Sequence, residues 1–263
     1  GLTHEINHGG SLTIAKAARE AGVSRFVYTS SCSVYGVGSG GDFVDENSPV
    51  NPQTAYAECK ALVERDVSAM ASDAFSPCFL RNATAFGASP RQRFDIVLND
   101  LSGLAWTTKE IKLQSDGTPW RPLVHVLDIC QAIYLSLLAP VDRIRNQIFN
   151  VGSTEQNYRV IDIAQIVASE FPGCQLSVGA AGADNRSYRV NFDRIQKLLP
   201  DYQCQWDAQK GARQMRLLFE RIQMTAEDFR APAFTRLNML LKLKAAGLLD
   251  DKLFWVGAPD RIA

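Results

Sequence analysis

The stretch Phe26-Val27-Tyr28-Thr29-Ser30-Ser31-Cys32-Ser33-Val34-Tyr35-Gly36, followed after a polar loop by Tyr56-Ala57-Glu58-Cys59-Lys60, decides the fold. Its first part is β-branched and aromatic, the composition of a buried strand, and it ends in a cluster of hydroxyls. Its second part opens a helix. Asn51-Pro52 and Thr54 are start signals, and Tyr56 and Lys60 stand one turn apart on one face. A phenol and an ammonium facing serines at a strand's C-terminal end form a proton-transfer arrangement. Open α/β sheets place their ligands at that end.

Outward from this stretch, helix and strand alternate. A helix is expected over residues 5–21, with Leu12, Ala15, Ala18 and Ala21 on its small apolar face and Gly22 as its stop. Residues 23–29 are the strand, 37–52 a loop rich in Gly, Asp, Asn and Pro, and 56–70 the helix of the Tyr/Lys pair. Residues 75–82 are a second strand, followed by a turn at 84–87. This alternation predicts an α/β fold, a parallel sheet covered by helices. Further on, a helix is expected at 96–107, a short strand at 111–113 closed by Asp116-Gly117, and an extended segment at 120–126. Asp128 is read as the cap of a helix at 129–139. A strand at 147–151 ends at Gly152. Helices follow at 159–171, 193–199, 209–222 and 234–246, and a loose tail from Asp250.

Composition is that of an ordinary globular chain. The 263 residues are enough for one large or two small domains with a real core. Lys+Arg 28 balance Asp+Glu 28, which favours neither a nucleic-acid surface nor an anionic membrane. No apolar run approaches the ~20 residues of a membrane span, and there is no leader pattern. The six cysteines are scattered without CxxC pairs, so they are read as reduced thiols of a cytosolic protein rather than a disulfide framework or a metal site.

The ordered series of motifs carries a resemblance. Asn7 in the first helix, Thr29 to Gly36, Tyr56-x-x-x-Lys60, Leu80-Arg81 and Phe86-Gly87 resemble the extended short-chain dehydrogenase/reductases, in order and spacing. So do Arg121 through His125 to Asp128, Phe149-Asn150-Val151-Gly152, and Arg186 with Tyr188. The resemblance is to the NAD-dependent epimerase/dehydratase type that acts on nucleotide sugars. It implies a Rossmann-like domain (residues 1–87 and about 119–152) and a smaller, mostly helical substrate lobe (88–118 and 153–263). One departure stands out. Such proteins start with a strand, a GxxGxxG turn and a helix N-terminus that holds the dinucleotide pyrophosphate. Gly9-Gly10 follows no strand and lies inside a helix pattern. The chain is therefore expected to begin after the first strands of the sheet, as an N-terminally truncated domain that binds NAD weakly.

The resemblance also assigns roles. Ser31, Tyr56 and Lys60 are the expected catalytic residues, and Asn7, Ser30, Tyr56 and Lys60 the expected NAD contacts. Cys32, Thr84, Asn99, Arg121 and Arg186 are the expected contacts to a nucleotide-diphosphate sugar, with Arg91 and Arg93 nearby at the domain junction. Guanidinium groups suit bidentate contacts to phosphate. A phenol ordinarily loses its proton near pH 10, and the charge of Lys60 favours the phenolate. The 4,6-dehydratases carry an Asp-Glu pair where this chain has Cys32-Ser33, which disfavours elimination of water. The expected reaction is epimerisation, by hydride abstraction and return at a sugar carbon. The alternatives are 4-keto-sugar reduction and a non-catalytic nucleotide-binding or dimerising fragment. The helix of Tyr56 and the one before it are the expected homodimer face. His125 is read as structural. Trp106, Trp120 and Trp206 are read as core or junction aromatics.

Overall fold

The computed structural model describes residues 1–37, 43–180 and 187–257. Leu2–His4 (α1), a π-helical turn at Glu5–Gly9 and Gly10–Glu20 (α2) run on as one helical stretch, with Gly9 and Gly10 inside it. Gly22 ends it at a φ of +76°, open to glycine without strain. Strand β1 is Arg25–Ser31, two residues later than expected, so Ser30 and Ser31 lie in the ladder rather than beyond it. The expected loop contains a two-residue strand, Phe43–Val44 (β2), paired in parallel with Arg189–Val190 (β10). Two residues carry no periodicity, so only the distant partner defines that strand. Helix α3 is Ala55–Ser68, and the Thr54 hydroxyl accepts from the Ala57 amide as its cap.

Strand β3, Ser76–Asn82, is followed at once by β4, Thr84–Phe86, where a turn was expected. The reversal comes at Gly87, φ +103°. Then follow α4 (Val97–Thr107), β5 (Glu110–Leu113) and β6 (Trp120–His125). Helix α5 is Val126–Leu138 and starts earlier than expected. Its cap is His125, whose Nδ1 accepts from the Leu127 amide at 3.2 Å, not Asp128. Asp128 instead accepts from the amides of Gln205 and Trp206, at 3.0 and 3.3 Å, tying α5 to a distant loop. After α6 (Val141–Ile144) come β7 (Gln147–Val151), β8 (Asn157–Arg159), α7 (Val160–Glu170) and β9 (Gln175–Val178). Beyond β10 lie four helices, α8 (Asp193–Leu198), α9 (Ala208–Ile222), α10 (Ala226–Arg230) and α11 (Arg236–Ala245). The segment after Asp250 is not loose up to 257. The Val256 amide donates to the Leu248 carbonyl at 3.0 Å, and Leu249 bridges Trp255.

The central sheet has the parallel order β1-β3-β7. Its middle strand is buried on both faces, as its run of Pro77-Cys78-Phe79-Leu80 requires. The two strands expected in one parallel sheet are neighbours in it, in a register that pairs Ser30 with Arg81 and Ser31 with Asn82. Residues 120–125 depart from expectation. They leave this sheet and form their own, β4-β6-β8, parallel to β4 and antiparallel to β8. The cause is the break at Ala83, whose amide donates to the Val151 carbonyl. The chain beyond it is carried off the ladder, and β6 follows β4.

Three apolar clusters hold these layers. Tyr28, Val63, Val67, Phe75 and Phe79 pack the face covered by α2 and α3. Cys78, Leu80, Ala132, Phe149 and Phe192 pack the opposite face under α5 and α8. Phe94, Leu98, Ile163, Val167, Met215 and Phe219 form a separate helical core from α4, α7 and α9. The junction between the second and third clusters is where a cleft opens.

Candidate active site

Strand β1 and helix α3 meet along three consecutive strand residues. The Ser31 side chain acts on the Tyr56 phenol, lowering its pKa against the effect of burial. Lys60 Nζ donates to the Thr29 carbonyl at 2.7 Å. The Ser30 hydroxyl donates to Glu64 Oε1 at 2.5 Å. Residues 56, 60 and 64 are one turn apart each, so one stripe of α3 meets one strand end. Ser31 Oγ also accepts from the Ser33 amide at 3.2 Å, which opens the 3₁₀ turn Cys32–Tyr35 and fixes the hydroxyl's direction.

Tyr56 is 44% exposed and lines a cleft of 370 Å³. Thr84, Arg121 and Tyr188 line the same cleft, with Ser33, Gln53, Thr54 and the Asp95–Ile96–Val97 strip. Burial raises the phenol's pKa above its ordinary value, and the Arg93 guanidinium and the Ser31 side chain oppose this only in part. Arg93 is thus closer to the chemistry than its junction position indicated. Asp95 holds it with two bonds of 2.9 Å. Lys60 lies 4.5 Å from the Tyr28 ring centroid and 5.4 Å from that of Tyr56. Its pKa is lowered by burial, against which Glu64 acts.

The structure does not bring every expected residue to this cleft. Cys32 is 1% exposed, and its thiol donates to the Arg81 carbonyl at 3.0 Å. Burial pushes that thiol far above its ordinary range, so it is a packed group rather than a substrate contact. Asn99 is 2% exposed, and its amide is used on the Gly87 amide at 3.0 Å and the Arg93 carbonyl at 3.0 Å. It braces the loop before α4 instead of facing a ligand. Ser30 is buried with its hydroxyl committed to Glu64, which removes the expected side-chain contact to NAD. Asn7 donates back to the Thr3 carbonyl within its own helical stretch. Arg186 lies outside the described residues. Arg91 donates to the Ala233 carbonyl at 2.6 Å.

Two features escaped the sequence. Ser33 lines the cleft, and its buried hydroxyl has no hydrogen-bond partner among the described residues. Its place two residues beyond Ser31, at one of the two positions where the 4,6-dehydratases carry carboxylates, was the available signal. The other is a buried polar chain. Glu64 pairs with Arg81 at 2.7 Å, Arg81 donates to the Tyr35 hydroxyl at 3.0 Å, and Tyr35 donates to Asn150 Oδ1 at 2.7 Å. His125 is structural, as expected. Its Nε2 meets Gln214 at 2.9 Å, its ring stacks on Trp206 at 4.1 Å, and burial lowers its pKa. A Cβ at Gly87 would sit 2.1 Å from that Nε2. With the positive φ added, Gly87→Ala is expected to cost about 3 kcal/mol in urea-unfolding measurements. A variant as stable as the parent would show that the loop has room this packing denies.

The sequence model of the NAD dependent epimerase/dehydratase family matches residues 1–152, more than half of the chain. The chain belongs to that family. Among curated relatives, dTDP-D-glucose 4,6-dehydratase of Mus musculus is 29% identical over 161 residues, 61% of this chain and 43% of that protein. UDP-glucose 4-epimerase of Neisseria gonorrhoeae is 25% identical over 231 residues, 78% of this chain and 65% of that one. The chain therefore spans less than half of the mouse relative's length. Among solved structures, MoeE5 in complex with UDP-glucuronic acid and NAD superposes with a TM-score of 0.70 at 27% identity, covering 83% of this chain and 72% of MoeE5. The fold of this family member is accordingly α/β and Rossmann-like, as its parallel sheet and covering helices indicate. No described helix is long and apolar enough to cross a membrane.

Proposed function

We propose that this family member carries the catalytic and substrate-binding residues of an NAD-dependent nucleotide-sugar epimerase. The observation that carries the reading is the Tyr56 phenol on the wall of a cleft that Arg121 also lines, with Ser31 acting on it from the strand end. Tyr56 takes the proton of a sugar hydroxyl, and Ser31 holds the reacting oxygen. Arg93 favours the phenolate against the burial that raises the phenol's pKa, and Lys60 stands 5.4 Å from its ring centroid. Arg121 and Arg186 grip the diphosphate, and Thr84, Ser33 and Tyr188 orient the sugar. NAD supplies the hydride acceptor and donor when bound. Residues at its nicotinamide end fit: Lys60 uses one donor on Thr29 and keeps others, and Tyr56 stands beside it. The sequence includes no GxxGxxG pattern for the pyrophosphate. Epimerisation is favoured over dehydration because positions 32 and 33 hold a buried thiol and a hydroxyl, not a carboxylate pair.

In this reading residues 1–87 and about 119–152 serve the dinucleotide, and 88–118 with 153–263 serve the sugar nucleotide. Ile6 and Ile14, 60% and 65% exposed on the helix beside α3, belong to a homodimer face. The test is calorimetric titration of the chain with NAD and with UDP-, GDP-, CDP- and dTDP-sugars. One nucleotide sugar is expected to bind measurably and NAD at least tenfold more weakly than a family member with a full glycine turn, since the turn's amides and helix N-terminus carry the pyrophosphate. Tight NAD binding, or no binding of any nucleotide sugar by the folded chain, overturns the reading.

A further inference from the structure

Glu64 has no role in the chemistry just described, yet it is 5% exposed and anionic beneath the site. Its carboxylate is held on two sides. Arg81 grips it from β3, with Nη2 to Oε2 at 2.7 Å and Nε to Oε1 at 3.0 Å. Ser30 donates to it from β1 at 2.5 Å. Ser30 and Arg81 are register partners in the sheet, so both side chains reach the same face at the same height. Glu64 is therefore the point at which α3 is fastened to two adjacent strands at once. Lys60 on Thr29 is a second rung between α3 and β1, and Tyr56 is influenced by Ser31, so the residues immediately before and after Ser30 both meet this stripe.

We propose that Glu64 is a positioning residue of the proton-transfer site: through Ser30 and Arg81 it fixes the register of α3 on β1, and its carboxylate, one helical turn from Lys60, is part of that lysine's charge environment. A slide of α3 by one residue moves every side chain by 1.5 Å along the axis and turns it by about 100°. The Tyr56–Ser31 and Lys60–Thr29 contacts then fail together. Lys60 is partly desolvated, which favours its neutral form, and the carboxylate one turn away opposes that. Arg81 neutralises Glu64 in turn and is itself held by Tyr35 and Asn150, so the brace extends to β7. The proposal rests on the functional reading for what the site does, but its test needs no turnover.

Two measurements decide it. In reductively methylated protein, the Lys60 methyl resonance, assigned with Lys60→Arg, is titrated in the parent and in Glu64→Gln. The midpoint is expected to fall by about one pH unit, tenfold in the dissociation constant, while the other lysines stay put. Glu64→Asp, which keeps the charge, is expected to restore it. Should Glu64→Gln fail to fold with Arg81 unpaired, the double variant Glu64→Gln with Arg81→Met removes both charges and is read the same way. Ser30→Ala removes only the tie to the strand. Amide exchange at Ser30 and Ser31 is expected to quicken about tenfold relative to β3, with the global stability lowered by less than that opening requires. An unmoved Lys60 midpoint in a folded variant overturns the electrostatic half, and unchanged exchange in Ser30→Ala overturns the register half. Failure of nucleotide-sugar binding with both results positive would count against the functional reading alone.

Discussion

Tyr56→Phe is expected to lower turnover of the intact enzyme by about a thousandfold, with nucleotide-sugar affinity nearly unchanged. The substitution deletes one oxygen. The ring stays, and with it the cleft wall that Tyr56 shares with Thr84 and Arg121. What disappears is the group that, in the proposed reaction, exchanges a proton with the sugar hydroxyl, so the loss is expected on kcat rather than on binding. Ser31→Ala leaves the phenol in place without its hydroxyl partner and is expected to cost less, roughly tenfold to a hundredfold. The comparison is made by steady-state kinetics for rate and calorimetry for affinity. Equal activity of Tyr56→Phe and parent would remove Tyr56 from the chemistry, whatever the fold. A matched loss of binding would instead make Tyr56 a substrate-holding residue.

The sequence was legible where short-range signals agree with one another. Thr54 before Ala55, Gly22 after α2 and the Tyr56/Lys60 spacing each have a local cause, and the structure places them accordingly. It was not legible where a residue's role is set by a distant partner. Phe43–Val44 is a strand because of Arg189–Val190. Thr84–Phe86 is a strand because β6 left the central sheet with it. Asp128 looked like a helix cap and is one end of a tie to residues 205 and 206. Among the site residues, the motif gave identity without orientation. Ser30, Ser31, Cys32 and Ser33 are four consecutive small polar side chains, and alternation alone does not say which face each takes once a strand becomes a 3₁₀ turn. The structure commits Ser30 and Cys32 inward and gives Ser31 to Tyr56, with Ser33 at the cleft. Asn99 was misread for the same reason, since a buried asparagine braces backbone as readily as it binds a sugar.

The largest loss of stability from a single polar substitution is expected at Arg81. Arg81→Met is expected to cost about 3–5 kcal/mol, because it leaves the Glu64 carboxylate buried with no counter-charge. The guanidinium and carboxylate side chains are only 5% and 6% exposed, so water cannot take over the lost contacts. Tyr35 loses its donor as well, and burial already pushes that phenol above its ordinary range. Adding Glu64→Gln to Arg81→Met is expected to recover most of the loss. The neutral pair no longer strands a charge, and Gln at position 64 can still accept from Ser30. Urea unfolding of the parent, both single variants and the double closes a mutant cycle whose coupling should exceed about 2 kcal/mol. Near-additive losses would mean that water reaches the pair and that the link from α3 through β3 to Asn150 on β7 is not a single unit. A large coupling would show that the helix carrying Tyr56 and Lys60 is held in register by a buried ion pair whose contribution is geometry more than net stability, since two matched apolar side chains would serve stability as well.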